Sequence, residues 1–161
     1  MANTYHQVYI QAVFAVKYRA AVLHKEWRKD VFAVIGNLIN ETGCKTIIVN
    51  GVEDHVHCFL GLKPTVSISE LMKTIKAKSS KYINDKRLLL NRFEWQEGYG
   101  VFSYSQSHIK EVYNYVANQE VTIKESRLNN TEYYYDNTVL STPTEKIFWK
   151  WCKKLNLVDF E

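Results

Sequence analysis

Cysteine, proline and long hydrophobic runs are all scarce in this sequence. Its 161 residues contain only two prolines and three cysteines, Cys44, Cys58 and Cys152. An odd cysteine count without a CxxC pair fits neither a disulfide framework nor a zinc knuckle, and it indicates a reducing, cytosolic compartment. No apolar run approaches the roughly 18 residues of a membrane span. The apolar stretch near the N-terminus is interrupted by polar residues and follows no basic segment, so we expect no signal peptide.

Charge is nearly balanced over the whole chain but not within it. Lysine and arginine total 21 against 17 acidic residues, a net charge of +4. Between Met72 and Arg92, however, Asp85 is the single acid among seven basic residues. Such a segment suits contact with a phosphate backbone, although a solvated helix face explains it equally well. The candidate DNA-binding residues are Lys73, Lys76, Lys78, Lys81, Lys86 and Arg87.

The hydrophobic pattern predicts one α+β domain. Period-two alternation over about 5–17 predicts a first strand, and apolar steps of three and four from Trp27 to Thr42 predict a helix. The β-branched runs 45–50 and 55–62 flank turn residues and predict a hairpin. A second helix from Ile68, a bent strand at 95–105, a third helix at 108–120 and a short helix at 145–155 follow. The order β-α-β-β-α-β is typical of a ferredoxin-like antiparallel sheet with helices on one face.

His55 and His57 form the most informative motif. Residues two apart on a strand point the same way, so both imidazoles should project from one face, and Val56 and Cys58 from the other. Two adjacent imidazoles are half of a divalent-metal site, and Asp54 is a candidate to orient one of them. An isolated HxH is nevertheless more often a plain pair of histidines.

The third predicted helix could complete such a site. Its geometry predicts that Tyr115 and Gln119, four residues apart, lie together on one flank. A phenolic oxygen can act as a nucleophile, and a glutamine can complete a metal shell. Most Y-x-x-x-Q pairs are solvated helix flanks, so the pair alone is weak support. The predicted core-facing residues of this helix are Ile109, Val112, Tyr113 and Val116.

Several motifs occur together in a consistent order: HVH after a hairpin, then SISELMKTIKAKSSKYIN, FEWQEGYGVFSYSQSHI and YVANQE. In this combination the chain resembles the small single-tyrosine HUH transposases of insertion sequences, to which the REP-associated tyrosine transposases are near relatives. The resemblance covers about residues 1–125. Residues 126–161 are then a divergent C-terminal extension, expected to belong to the same compact unit.

The resemblance implies a mechanism and a set of partners. It implies a catalytic tyrosine, Tyr115, on a helix after the last strand, and a Mg²⁺ or Mn²⁺ ion held by His55, His57 and Gln119. The substrate would be single-stranded DNA with hairpin-bearing element ends, cut through a 5′-phosphotyrosine intermediate. It further implies a homodimer in the cytoplasm of a bacterial or archaeal cell, with no membrane and no nucleotide cofactor.

Three alternatives remain open on the sequence. A domesticated or inactive relative would bind or process hairpin repeats. A non-catalytic ferredoxin-like module would bind single-stranded nucleic acid by aromatic stacking, but it would give HVH no role. A metallohydrolase built on HxH would need further ligands, which Cys58, Phe59 and Leu60 do not offer.

Overall fold

A computed structural model describes residues 4–121 of the chain. The strands are β1 (Tyr9–Ala15), β2 (Lys45–Gly51), β3 (His55–Gly61) and β4 (Gly100–Tyr104), and the α-helices are α1 (Lys25–Glu41), α2 (Ile68–Asp85) and α3 (Ile109–Ala117). Short 3₁₀ turns occupy Lys17–Arg19 and Gln106–His108. The predicted extension 126–161, with its helix at 145–155, lies outside the described residues.

The four strands form one antiparallel sheet in the order β2-β3-β1-β4. The central pair β1 and β3 places Ala15 opposite His55 and Val13 opposite His57. Together with the chain order this topology is the split βαβ arrangement, so the predicted ferredoxin-like α+β fold is confirmed. No helix within residues 4–121 combines the length and the hydrophobicity that crossing a bilayer requires.

The alternation of side chains along the central strands gives the sheet two buried faces. One face carries the main core, formed by Ile10, Ala12 and Phe14 of β1 and by alternate residues of β3, and it is covered by α1 and α2. On the opposite face, Phe59 packs against residues of α3. Since His55 and His57 alternate in step with Phe59, they lie on the face that α3 covers.

The hairpin that precedes His55 depends on a glycine. A Cβ atom added to Gly51 would lie 2.2 Å from the carbonyl oxygen of His55. The β2–β3 hairpin can therefore form here only because residue 51 has no side chain. Gly43, just after α1, has a φ of +86°, which is typical of the glycine that ends a helix. These two glycines fix where β2 begins and where β3 follows it.

The fourth strand is shorter than the predicted 95–105. Trp95 makes only an isolated bridge to Val16, and Gly98 adopts a φ of +80° before β4 begins at Gly100. The Trp95 indole is buried and donates a hydrogen bond of 2.9 Å to Ser79 Oγ. This indole therefore anchors the segment to α2, and Gly98 turns the chain into β4.

Candidate active site

His55 and His57 lie side by side on β3. Their ring centroids are 5.0 Å apart, and the two residues are 3% and 2% exposed. The hairpin places His55 at the first position of the strand, and the strand period brings His57 to the same face. The prediction that both imidazoles project together is confirmed.

Asp54 orients the ring of His55. Its Oδ1 lies 2.7 Å from His55 Nδ1, and its Oδ2 forms an ion pair of 2.9 Å with Arg19. A carboxylate at Nδ1 favours the proton there and leaves Nε2 as the nitrogen with a lone pair. Arg19 and its neighbour Tyr18 adopt left-handed φ values of 53° and 60°, a conformation that costs free energy for residues other than glycine.

His57 is a buried imidazole without a charged partner. Its Nδ1 lies 2.8 Å from Nε2 of Gln11, and its own Nε2 is the one buried side-chain nitrogen or oxygen without a hydrogen-bond partner within residues 4–121. Burial holds the pKa of His57 well below its ordinary value, and the charges of His55 and Arg19 act in the same direction. The ring is therefore neutral, which is the form that binds a metal ion.

A metal site beside these two histidines would need a third ligand other than His, Cys, Asp or Glu. Among the described residues, no group of three His, Cys, Asp or Glu side chains could hold an ion. The unpartnered Nε2 of His57 fits a metal ligand, and so does the ring of His55 as Asp54 orients it. The predicted third ligand, Gln119, would complete this set.

Tyr115 faces the histidines, whereas Tyr113 does not. The rings of Tyr115 and His57 meet edge to face with centroids 5.7 Å apart. Tyr115 is 6% exposed and Tyr113 is 44% exposed, so the prediction that Tyr113 packs into the core is wrong. The buried stripe of the helix is Val112, Tyr115, Val116 and Gln119.

The predicted core-facing stripe and the observed buried stripe of α3 follow the same helical spacing. Steps of three, four and seven residues lead from Ile109 through Tyr113 to Val116, or from Val112 through Tyr115 to Gln119. The two share Val112 and Val116, so nine helical residues cannot distinguish them by hydrophobicity alone. The packing of α3 over Phe59 selects the second stripe and brings Tyr115 to His57.

Gln119 lies one turn beyond Tyr115 on the buried side. It is 3% exposed, and its amide nitrogen donates a hydrogen bond of 3.1 Å to the carbonyl oxygen of Tyr115. The helix itself ends at Ala117, so this hydrogen bond extends the turn that carries Gln119. The predicted proximity of Tyr115 and Gln119 is thus present.

The basic candidates lie on α2 and just after it, and α2 covers the sheet face opposite the histidines. Lys76 is half-buried, and its Nζ donates to the carbonyl oxygens of Gln96 (2.6 Å) and Gly98 (2.9 Å). Burial lowers the pKa of Lys76. Lys81 forms an ion pair with Asp85. Through its two hydrogen bonds, Lys76 fixes the segment that precedes β4.

The other basic candidates are exposed. Lys78 lies 3.9 Å from Glu41, and the Lys86 ammonium lies 6.0 Å from the ring centroid of Tyr82. Lys73 and Arg87 are also exposed, and Arg87 has a left-handed φ of 51°. Lys76, Lys81 and Arg87 line a cavity of about 940 Å³ at the C-terminal end of α2.

Three residues of the site carried no signal in the sequence. Gln11 contacts His57 from 46 positions away, and Arg19 pairs with Asp54. Asn50 donates from its Nδ2 to the carbonyl oxygens of Val116 (2.9 Å) and Ala117 (3.1 Å). Each acts through a contact between segments distant in sequence, so only the tertiary structure could reveal it.

The ferredoxin-like sheet presents two buried histidines to a tyrosine on α3, the helix that follows β4. The fold and this candidate active site together define a class of small α+β proteins. Residues 4–119 match the family described as transposase, IS200 like. This match covers well over half of the chain, and the chain therefore belongs to the IS200-like transposase family. As a transposase, it belongs to a class of enzymes that cut and move DNA.

Curated relatives agree with this membership. The chain is 27% identical over 124 residues to the transposase for insertion sequence element IS200 of Salmonella typhimurium, covering 74% of this chain and 81% of the relative. It is 24% identical over 119 residues to the ISDra2 transposase TnpA of Deinococcus radiodurans, covering 71% and 85% respectively. The similarity thus extends over most of each relative.

Two solved structures share the fold. A candidate transposase from Deinococcus radiodurans R1 superposes with a TM-score of 0.60 at 21% identity, covering 74% of this chain and 95% of that one. A REP-associated tyrosine transposase bound to a REP hairpin superposes with a TM-score of 0.58 at 11% identity, covering 89% and 94%. At these identities the likeness concerns the fold.

Proposed function

We propose that this chain cuts and rejoins single-stranded DNA at hairpin-bearing element ends, with Tyr115 as the nucleophile. The observation that carries the proposal is the contact of the Tyr115 ring with His57, at a centroid distance of 5.7 Å, in a member of a transposase family. Residues 1–125 carry the activity in this proposal, and 126–161 extend the same unit.

The chemistry is phosphoryl transfer to a tyrosine. The Tyr115 oxygen attacks the scissile phosphorus in line, and an O–P bond forms as the bond to the 3′ oxygen breaks. Tyrosine loses its phenolic proton, and the departing 3′ oxygen gains one. The products are a 5′-phosphotyrosine and a free 3′-OH. Because the covalent link conserves the phosphodiester, attack by a 3′-OH on it rejoins DNA without a nucleotide cofactor.

His55, His57 and Gln119 would hold a Mg²⁺ or Mn²⁺ ion beside the tyrosine. When bound, such an ion neutralises charge that develops on the scissile phosphate. The protein contributes the arrangement: Asp54 fixes the ring of His55, and burial keeps His57 neutral. The packing of α3 sets Tyr115 at their edge. These contacts restrict the motion of the reacting groups, which is how an active site gains rate by positioning.

A single-stranded substrate suits this small site. An unpaired strand can bring its backbone to a recessed group, and its splayed bases can be stacked and read, which a duplex does not allow. The solved relative described as bound to a REP hairpin supports a substrate with hairpins.

The test is covalent trapping with a matched tyrosine pair. Labelled hairpin oligonucleotides from the genomic flanks are incubated with wild type, Tyr115→Phe and Tyr113→Phe, each with Mn²⁺ or with EDTA. We expect a protein–DNA adduct on a denaturing gel for wild type and Tyr113→Phe with Mn²⁺, and none for Tyr115→Phe. Retained hairpin binding by Tyr115→Phe shows that its loss is chemical. An adduct that maps to Tyr113, or to any tyrosine other than Tyr115, would contradict the proposal.

A second candidate is a relative that binds hairpin repeats without transposing. Tyr115, on the sheet-facing side of α3, is only 6% exposed, which favours a binding role as long as that helix stays in place. Tight hairpin binding by wild type without any adduct, in both Mg²⁺ and Mn²⁺, would support this candidate against the first.

A further inference from the structure

Gln11 is a buried amide at the centre of an otherwise apolar strand. It is 1% exposed and lies in β1, between Phe59 of β3 and Phe102 of β4 in the sheet register. Burying a carboxamide is costly unless both of its ends are hydrogen-bonded. Here both ends are bonded: Nε2 lies 2.8 Å from His57 Nδ1, and Oε1 accepts from the Tyr104 hydroxyl at 3.0 Å.

The orientation of this amide determines which nitrogen of His57 carries the proton. A carboxamide nitrogen only donates, so in this orientation His57 Nδ1 must accept, and a neutral ring then carries its proton on Nε2. That nitrogen is the buried atom without a hydrogen-bond partner among residues 4–121. A protonated Nε2 has no lone pair to offer a cation.

A half-turn of the amide reverses this assignment, provided that the Tyr104 hydroxyl turns its proton away from the amide and the ring proton of His57 moves from Nε2 to Nδ1 through solvent. Rotation by 180° about the last carbon–carbon bond exchanges its oxygen and nitrogen. The oxygen then accepts from a protonated Nδ1, the amide nitrogen donates to the Tyr104 hydroxyl oxygen, and Nε2 of His57 carries a lone pair. Asp54 lacks this freedom, because a carboxylate beside His55 can only accept.

We propose that Gln11 is a positioning residue that sets the tautomer of His57. In the structure its amide nitrogen faces the ring, and its oxygen would face the ring when Nε2 binds a divalent cation. The inference rests on the metal site of the proposed function and goes beyond it, since it assigns the site one fixed imidazole, His55, and one adjustable imidazole, His57.

The first measurement needs no variant. Two-bond ¹⁵N–¹H correlation spectra of wild type labelled at histidine report which ring nitrogen is protonated. We expect His57 to be protonated at Nε2 with EDTA and at Nδ1 with Zn²⁺, a diamagnetic probe that binds imidazole. A proton on Nδ1 of His57 in the metal-free chain would overturn the inference.

The second measurement is the affinity for Mn²⁺, followed by the electron paramagnetic resonance signal of the free ion. Gln11→Leu should weaken Mn²⁺ binding by about 10- to 100-fold, the usual effect of losing a residue that supports a metal ligand. Gln7→Leu, on the exposed segment before β1, should bind as wild type does. Thermal melts establish that each variant is folded.

His57→Ala separates the two proposals. If it loses Mn²⁺ binding while Gln11→Leu retains wild-type affinity, the role of Gln11 is wrong and the metal site stands. If His57→Ala binds Mn²⁺ as tightly as wild type, the metal site of the proposed function is itself wrong. Loss of binding in both variants, with the tautomer change in wild type, supports the inference.

Discussion

His57 couples the candidate active site to the stability of the fold. Its pKa is held well below the ordinary value of about 6.5 by burial first and by His55 and Arg19 next. The unfolded chain therefore takes up a proton near pH 6.5 that the folded chain refuses. Since the unfolded state binds more protons, acid favours unfolding. The contribution of the neutral, buried His57 to the free energy of unfolding is complete above about pH 6.5. It is lost as the pH falls below that value.

We expect the metal-free protein to lose stability between about pH 7 and pH 5, with His57 contributing up to about 1.4 kcal/mol per pH unit. Urea unfolding in EDTA across this range measures the slope. His57→Gln should flatten it, whereas His6→Gln, at an exposed position, should not. An unchanged slope in His57→Gln would show that other groups cause the acid sensitivity.

At the scale of secondary structure, α3 is held by its surroundings. An isolated helix of nine residues is marginal in water, so its place depends on packing and on its ends. Asn50 bonds two carbonyl oxygens at the C-terminal end of α3 and lies opposite His57 in the β2–β3 register. Beyond the helix, Glu120 pairs with Lys25 and Arg28 of α1. These contacts fix where Tyr115 meets the sheet.

Asn50→Ala should therefore destabilise the protein by about 1–2 kcal/mol, the usual worth of two hydrogen bonds. It should also slow adduct formation, because α3 no longer holds Tyr115 beside His57. Urea unfolding and the trapping assay measure the two effects. Asn37→Ala, at an exposed site of α1, is the control and should change neither. Wild-type stability and rate in Asn50→Ala would contradict this role.

Helix α2 divides the basic candidates into two kinds. Lys73 is exposed, whereas Lys76 is half-buried and bonded to the backbone at Gln96 and Gly98. Lys73→Ala should leave stability unchanged and lower the slope of log affinity against log salt for single-stranded DNA by about 0.7, the value for one phosphate contact.

Lys76→Ala should instead reduce stability by about 1–2 kcal/mol, because two hydrogen bonds from an ammonium group are lost. Filter binding at several salt concentrations and urea unfolding separate the two residues. If Lys73→Ala leaves the salt slope unchanged, this side of α2 is solvated surface. Wild-type stability in Lys76→Ala would mean that its two hydrogen bonds contribute nothing net.

For the whole molecule, the open sheet suggests association. Within residues 4–121, β2 and β4 are the two edge strands. Unpaired backbone groups on an edge strand can pair with a second copy. We therefore expect a homodimer, which the family resemblance also implies.

Light scattering at micromolar concentration, with and without hairpin DNA, tests this expectation, and a mass near twice 18.9 kDa is the predicted result. The whole 161-residue chain should be used, so that residues 126–161 are included. A monomer mass in both conditions would contradict the prediction.

The order of elements and the faces of the strands could be predicted from the sequence, because both depend on local periodicity. Alternation along β1 and β3 assigns His55 and His57 to one face, and helical steps locate α1 and α2 within a few residues. The limits of β4 could not be predicted, since Trp95 leaves the strand pattern to bond Ser79 on a distant helix.

The sequence by itself determined the ferredoxin-like order, the histidine pair and the tyrosine-bearing helix, because short-range periodicity and motif spacing are written in neighbouring residues. Only the tertiary structure decided that Tyr115 rather than Tyr113 is buried, that Lys76 is bonded to the backbone, and that Gln11 meets His57. The physical reason is the same for each: packing and hydrogen bonds across the sheet join segments tens of residues apart. A local sequence pattern is compatible with several different partners for each of these residues, and only the folded chain selects one.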